Sequence, residues 1–328
     1  MTTVQRPKNF ALIGAAGYIA PRHMKAIRET GNELVAALDP YDGVGIMDSY
    51  FPQANFFIEP ERFDRHLDKM RRLSKDQQNP DIKVDYVSIC SPNYMHDAHI
   101  RLALRNEANA ICEKPIVLNP WNVDALRVIE QESGKRVFTI LQLRHHPTIL
   151  ALKEKIDRER PDSLYEIDLT YITSRGKWYA RSWKGDVAKS GGIATNIGIH
   201  FFDMLVWIFG AVKEQQVHLM EGDRAAGIIV LEKARVRWFL SINSADIPDP
   251  VKNSGKRTYR SITVNGEELE FSEGFTDLHT VSYQEILAGN GYGLADSRPS
   301  IELAYAIREA TITGISGDYH PILKNIRR

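Results

Sequence analysis

The sequence predicts an α/β Rossmann domain followed by an α+β domain with an open-faced, mostly antiparallel sheet. Three observations carry this. Apolar runs alternate with helical patterns through residue 146. A small-residue turn joins the first run to its helix, and an acid closes the second run. Beyond 147 alternating runs follow one another through short turns. The domains are therefore placed at 1–146 and 147–328, with room for the C-terminal helix to pack back on the first domain.

Residues 10–13 read as a buried parallel strand, and Gly14-Ala15-Ala16-Gly17 as a turn whose small side chains let backbone N–H groups approach a pyrophosphate. Tyr18 and Ile19 complete the turn, and Pro21 lies in the first turn of the next helix. There its missing N–H costs little, while the positive end of the helix dipole faces the phosphates. The second strand, 34–38, ends at Asp39, placed to accept hydrogen bonds from an adenosine ribose. A carboxylate there repels a 2′-phosphate, so NAD is expected rather than NADP. The glycines do not follow G-x-G-x-x-G, because Ala15, Ala16 and Ala20 stand where further glycines occur.

Residues 40–60 are turn-rich, 61–74 have helical spacing, and 86–90 form a third strand ending at Ser91-Pro92-Asn93-Tyr94-Met95-His96. Ligands of open α/β sheets bind outside the carboxyl ends of strands, which places Ser91, Asn93 and His96 for the cofactor. A helix over 98–105 and a strand over 110–112 lead to Glu113-Lys114-Pro115. Another helix over 121–133 and a strand over 137–143 lead to Gln142, Arg144, His145 and His146. A helix over 147–156 leaves the first domain.

Strands are then expected at 164–173, 216–220, 226–231, 235–243, 259–264 and 268–271, with Asn265-Gly266 as a hairpin turn. Their sheet is expected to be covered on one face and open on the other. Between the first two strands, 175–186 is dense in cations and aromatic rings, suited to stacking a base or sugar and pairing an anion. Gly191-Gly192 then breaks the chain before a helix on which Asn196, His200, Asp203 and Trp207 share one face, while Ile197, Phe201, Leu205 and Ile208 pack.

Forty-two basic and forty-two acidic residues cancel, so neither nucleic acid nor an anionic membrane is an expected partner. Cys90 and Cys112 read as core thiols, and no Cys/His spacing suggests a metal. No apolar run is expected to reach the ~18 residues of a membrane helix, and a cytoplasmic location is expected.

These residues resemble the Gfo/Idh/MocA oxidoreductase family. The likeness rests on Gly14 to Ala20, Ser91-Pro92-Asn93 with His96, Glu113-Lys114-Pro115, the Gly191-Gly192 to His200 helix, and the segment from Tyr283 to Arg298. Within the family it is most similar to dehydrogenases that oxidise UDP-N-acetyl-2-amino-2-deoxy-D-glucuronate (UDP-GlcNAcA) at C3 during bacterial surface polysaccharide synthesis. The resemblance implies NAD held by Gly14, Ala16, Gly17, Tyr18, Ile19, Asp39, Ser91, Asn93, His96, Glu113, Lys114 and Gln142. It implies a sugar acid contacted by Arg144, Arg175, Tyr179, Asn196 and Tyr283, catalysis by Lys114, His200 and Asn196, no metal, and a homo-oligomer, dimer or tetramer.

The family carries an aspartate where Asn196 stands. An amide orients a hydroxyl but cannot take its proton, so His200 is read as the base, with Lys114 as electrostatic clamp and proton partner. A desolvated Lys114 is the alternative base. A free-sugar or inositol dehydrogenase, and a non-catalytic NAD-binding regulator, are the competing functions.

Overall fold

The computed structural model describes residues 6–43, 45–159, 163–269 and 277–326. It divides into two compact units. The described residues of the first fall within Met1–Val117, Trp121–Gln142 and Asp277–Ser297; those of the second fall within Leu118–Pro120, Leu143–Thr276 and Arg298–Arg328.

The first unit is built on strands β1 (Asn9–Ile13), β2 (Glu33–Leu38), β3 (Asn55–Phe57), β4 (Tyr86–Ile89), β5 (Asn109–Cys112) and β6 (Val137–Thr139). All neighbours are parallel, in the order β3-β2-β1-β4-β5-β6. Strand order reverses beside β1, and such a switch point is where open α/β sheets take ligands. Phe10, Leu12 and Ile111 are fully buried, as runs covered on both faces must be.

Helices α1 (Ala20–Glu29), α2 (Pro60–Asp76), α3 (His96–Arg105) and α4 (Pro120–Ser133) form at the predicted places. Pro21 starts α1, whose inward face of Met24, Ala26 and Ile27 is fully buried. The helix Leu278–Leu287 also belongs to this unit. Thr280 donates to Glu29 at 2.8 Å, and Lys25 pairs with Asp277.

Two elements differ from the sequence reading. Strand β3 was not foreseen, being three residues at a sheet edge, Asn55 exposed and Phe56 and Phe57 half-buried. The strand expected over 137–143 stops at Thr139 and gives way to a tight turn over Gln142–His145. Ile140, Leu141 and Leu143 are buried all the same, so apolarity alone could not separate strand from buried turn.

The second unit carries β7 (Tyr165–Thr173), β8 (Val212–Met220), β9 (Arg224–Leu231), β10 (Ala234–Ser241), β11 (Thr258–Val264) and β12 (Glu267–Glu268), in the order β12-β11-β7-β10-β9-β8. Only β7 and β10 run parallel; the other neighbours are antiparallel. Asn265 and Gly266 have φ of 52° and 85° and join the paired Val264 and Glu267, which makes the predicted two-residue hairpin turn. Of the last predicted strand, Glu270 and Phe271 lie outside the described residues.

Period-two alternation sends Ile167, Leu169, Val236, Trp238 and Leu240 into one core with Ile149 and Ile156 of α5 (Pro147–Arg158) and with Phe202, Leu205 and Ile208 of the helix Ile199–Phe209. The opposite face is not open throughout, as the sequence reading expected. Thr170 meets His320 at 3.1 Å, Arg235 and Arg237 pair with Asp318, and Leu323 is fully buried with Phe239 and Ile172. The C-terminal tail covers this face by packing Ile315, Tyr319, Ile322 and Leu323 on it and by bringing its own acid to the sheet's arginines.

The stretch Val187–Phe209, 23 residues, is long and apolar enough by length and composition to cross a membrane, contrary to expectation, and 72% of its apolar window is buried inside the protein. Helical burial in a core explains its composition equally well.

Candidate functional site

In the first unit the carboxyl ends of β1, β2, β4 and β5 build one site. Gly14 has φ +88°, and a Cβ there would stand 2.7 Å from the Cys90 carbonyl carbon, so only glycine fits between the two strand ends. The turn closes through Gly17 N–H donating to Gly14 O at 3.0 Å. Among the described residues no backbone group takes the N–H of Tyr18 or Ile19, which precede α1. Tyr18 is 90% exposed.

Asp39 accepts from the Ala16 N–H at 2.9 Å and the Tyr41 N–H at 2.9 Å, which fixes its carboxylate beside the turn. Each carboxylate oxygen retains a second lone pair for a hydroxyl. Gln142, beyond β6, carries a buried Oε1 with no partner among the described residues. A glycine cradle, untaken N–H groups at a helix start, an anchored acid and an orphaned amide oxygen suit a dinucleotide, so the residues present fit NAD.

Four of the expected site residues already have partners inside the protein. His96 is fully buried, with Nδ1 2.7 Å from Pro115 O and Nε2 2.8 Å from Ser91 O. It ties the Ser91 and Pro115 loops together. The Ser91 hydroxyl meets His99 Nδ1 at 2.8 Å. Glu113 is buried, and its Oε1 is contacted by His23 Nε2 and His279 Nε2, each at 2.9 Å. Tyr283, expected to touch a sugar, is fully buried; its ring stacks on Phe10, and its hydroxyl meets His23 Nδ1 at 2.7 Å and Ser88 Oγ at 2.6 Å. Neither histidine had been singled out, and no local pattern links residues 23, 113 and 279. Asn93 is buried and Lys114 half-buried at the same strand ends.

In the second unit, Gly191 ends the helix Val187–Ser190 in the left-handed conformation with φ +78°. The next turn, Ala194–Gly198, is a π-helix, and regular helix resumes at Ile199. The wide turn carries Asn196, whose Nδ2 donates to the Tyr179 hydroxyl at 2.6 Å. π turns occur often at functional sites because the extra residue re-aims a side chain. His200 is half-buried one turn on, and Ile197, Phe201, Leu205 and Ile208 pack inward as expected.

Asp203 points the other way energetically: it is 3% exposed and takes a two-pronged bond from Arg144, 2.9 Å from Nε and 2.8 Å from Nη2. Arg144 thus already carries its counter-charge in a buried ion pair.

The cation-rich segment keeps its charges unmatched. Among the described residues no carboxylate pairs with Arg175, Lys177, Arg181 or Lys184. Lys184 Nζ lies 4.2 Å from the Trp183 ring centroid and 5.9 Å from that of Trp178. Burial, then the positive charge of Arg175, lowers its pKa. Tyr179 is 4% exposed, and burial raises its pKa, so its hydroxyl keeps its proton at neutral pH. Unpaired cations beside rings and an amide make a surface that gains from an anionic, hydroxylated ligand.

Comparison with known proteins agrees with both units. Residues 8–141 match the Gfo/Idh/MocA oxidoreductase family model for the NAD-binding Rossmann fold, and 153–249 match its C-terminal alpha/beta domain. The WlbA (WbpB) dehydrogenase from Thermus thermophilus, solved with NAD and alpha-ketoglutarate, is 52% identical with a TM-score of 0.90, covering 96% of this chain and 99% of that one. The same enzyme solved with NAD and UDP-GlcNAcA gives 51% identity and a TM-score of 0.90, over 96% and 99% of the two chains. Among curated proteins, the putative oxidoreductase YteT of Bacillus subtilis is 27% identical over 158 residues, 48% of this chain and 35% of that protein. The chain thus spans about a third of that relative's length in the match. The paired domain matches, the NAD-fitting turn and the near-complete likeness to a solved dehydrogenase establish that this chain belongs to the Gfo/Idh/MocA oxidoreductase family, with NAD as cofactor.

Proposed function

We propose that this protein oxidises the C3 hydroxyl of UDP-GlcNAcA to the 3-keto sugar, within bacterial surface polysaccharide synthesis. The observation that carries the reading is the likeness, 51% identical over 96% of the chain, to a dehydrogenase solved with NAD and UDP-GlcNAcA. The unmatched cations of 175–184 support it, since a nucleotide sugar acid brings a diphosphate and a carboxylate, whereas a free polyol brings neither.

NAD supplies the hydride acceptor. The C3 hydroxyl proton must leave as the C3–H pair departs, giving ketone, NADH and a proton. In this reading His200 takes that proton, Lys114 stabilises the developing oxyanion, and Asn196, held by Tyr179, orients the sugar. The relative solved with alpha-ketoglutarate supports a second half-reaction: 2-oxoglutarate, NADH and a proton give 2-hydroxyglutarate and NAD. A homo-oligomer remains part of the proposal.

The test is NADH absorbance after mixing protein and NAD with UDP-GlcNAcA, UDP-N-acetylglucosamine and myo-inositol. Signal with the sugar acid alone, and many turnovers per protein-bound NAD once 2-oxoglutarate is added, are expected. Silence on the sugar acid with signal on inositol would overturn the substrate.

A further inference from the structure

Among the buried polar side chains of the first unit, five that the reaction does not use stand in contact with one another: Ser88, Tyr283, His23, Glu113 and His279. They form one chain of contacts, Ser88 Oγ to Tyr283 Oη at 2.6 Å, Tyr283 Oη to His23 Nδ1 at 2.7 Å, and both His23 Nε2 and His279 Nε2 to Glu113 Oε1 at 2.9 Å. Glu113, at 7%, is the most exposed of them.

The chemistry fixes the direction of every bond. Burial alone would raise the Glu113 pKa, but the bonds from His23 and His279 win and hold it well below the usual carboxylate range. An ionised carboxylate only accepts, so both Nε2 atoms carry hydrogen. Burial lowers the His23 pKa, so that ring is neutral and its Nδ1 is a lone pair. Tyr283 must then donate to His23, and Ser88 to Tyr283. The tyrosine sets the tautomer that lets His23 face a carboxylate.

Glu113 immediately precedes Lys114, and Pro115 immediately follows it. The Pro115 carbonyl is held on the other side by the buried His96 at 2.7 Å. Both neighbours of the lysine are therefore pinned by histidines.

We propose that Tyr283, His23 and His279 are positioning residues for Lys114, locking Glu113 in one orientation while His96 locks Pro115. This rests on the dehydrogenase reading. The trio His23, Glu113 and His279 also has its ligand atoms within 4.8 Å of one another. Hydrogen bonds already satisfy these atoms, and a bound metal is an outcome of the test.

Glutamine replaces the Nε2–H donor of histidine, and leucine removes it at similar size. His279→Gln is expected to keep kcat within threefold of wild type, and His279→Leu to lose at least thirtyfold, with NAD Kd and substrate KM within twofold in both. Tyr283→Phe is expected to move the ring ¹⁵N resonances of His23, in protein labelled on histidine, away from the Nε2–H pattern and to lower kcat about tenfold. Equal kcat in the two His279 variants, or an unmoved His23 tautomer in Tyr283→Phe, overturns the proposal. So does a stoichiometric metal whose chelation abolishes activity. If wild type oxidises inositol instead of UDP-GlcNAcA, the substrate assignment falls and the same comparison runs on inositol. If wild type oxidises no alcohol, both fall.

Discussion

The amide of Asn196 donates to the hydroxyl of Tyr179 across 2.6 Å, a bond that joins the π turn to the cation-rich segment. Tyrosine can reverse this bond and phenylalanine cannot. Asn196→Asp should therefore stay folded, with the protonated Tyr179 hydroxyl donating to the new carboxylate and kcat/KM within tenfold of wild type. Tyr179→Phe should raise the sugar-acid KM about tenfold, the effect of one lost bond of about 1.5 kcal/mol. Steady-state kinetics on both variants decide it; an unchanged KM in Tyr179→Phe removes that bond from substrate binding.

His200→Ala should lower kcat at pH 7 by roughly 10² to 10⁴, the usual span for a general base, while NAD binding stays intact. Calorimetric titration with NAD beside turnover separates the two. Normal turnover would take His200 out of proton transfer.

Asp203 and Arg144 are buried together, with side chains 4% and 6% exposed. Asp203→Ala strands a buried guanidinium and should cost about 3–5 kcal/mol, whereas an apolar pair in place of both residues should be close to neutral. Denaturant unfolding of the single and double variants tests this, and a mild single variant would mean that the arginine finds another partner.

Gly14→Ala places a Cβ 2.7 Å from the Cys90 carbonyl carbon at φ +88°. A shift of the turn is unavoidable, costing about 2 kcal/mol of strain and weakening NAD binding at least roughly tenfold. Retained NAD affinity would mean the cofactor does not rest on this turn.

Burial holds the pKa of His99 and of His320 down from 6.5 to about 4. The unfolded chain takes a proton on each below about pH 6.5, and the folded chain does so only near pH 4. The stability present above pH 6.5 is therefore lost as pH falls through this window, by about 3 kcal/mol per histidine over its whole width. His99 lies in the first unit and His320 in the second, so both should melt earlier at pH 5 than at pH 7.5, and a His320→Gln variant should show a shallower dependence for the second. Equal melting temperatures at the two pH values would show that neither histidine is kept neutral.

Features that depend on nearby residues were legible in the sequence. The strand, small-residue turn and helix around Gly14, the acid at Asp39, the Asn265-Gly266 hairpin and the packing residues Ile197 to Ile208 each follow from local apolarity and backbone freedom. What the sequence did not reveal is which way a polar ring faces. Tyr283 and His96 stand beside apolar residues in helices, and their partners lie 260 and 19 residues away along the chain. Arg144 looked like an available cation because Asp203, 59 residues on, is joined to it only by folding. The π turn also escaped notice, since one extra residue per turn leaves no mark in a three-and-four spacing.

The return of the chain at Asp277 to complete the first unit bears on the order of synthesis. A ribosome has released all six strands of the parallel sheet by Thr139, yet His279 and Tyr283 emerge only after every strand of the second sheet. In that interval Glu113 has one of its two histidine donors, and Phe10 lacks one of its stacked rings. The nucleotide-binding unit is begun first and completed only after the strands of the second sheet have emerged. A gene fragment ending near residue 142 therefore encodes an unfinished domain, and a nascent chain stalled in the second unit leaves a buried carboxylate half-satisfied, a state suited to retention by chaperones.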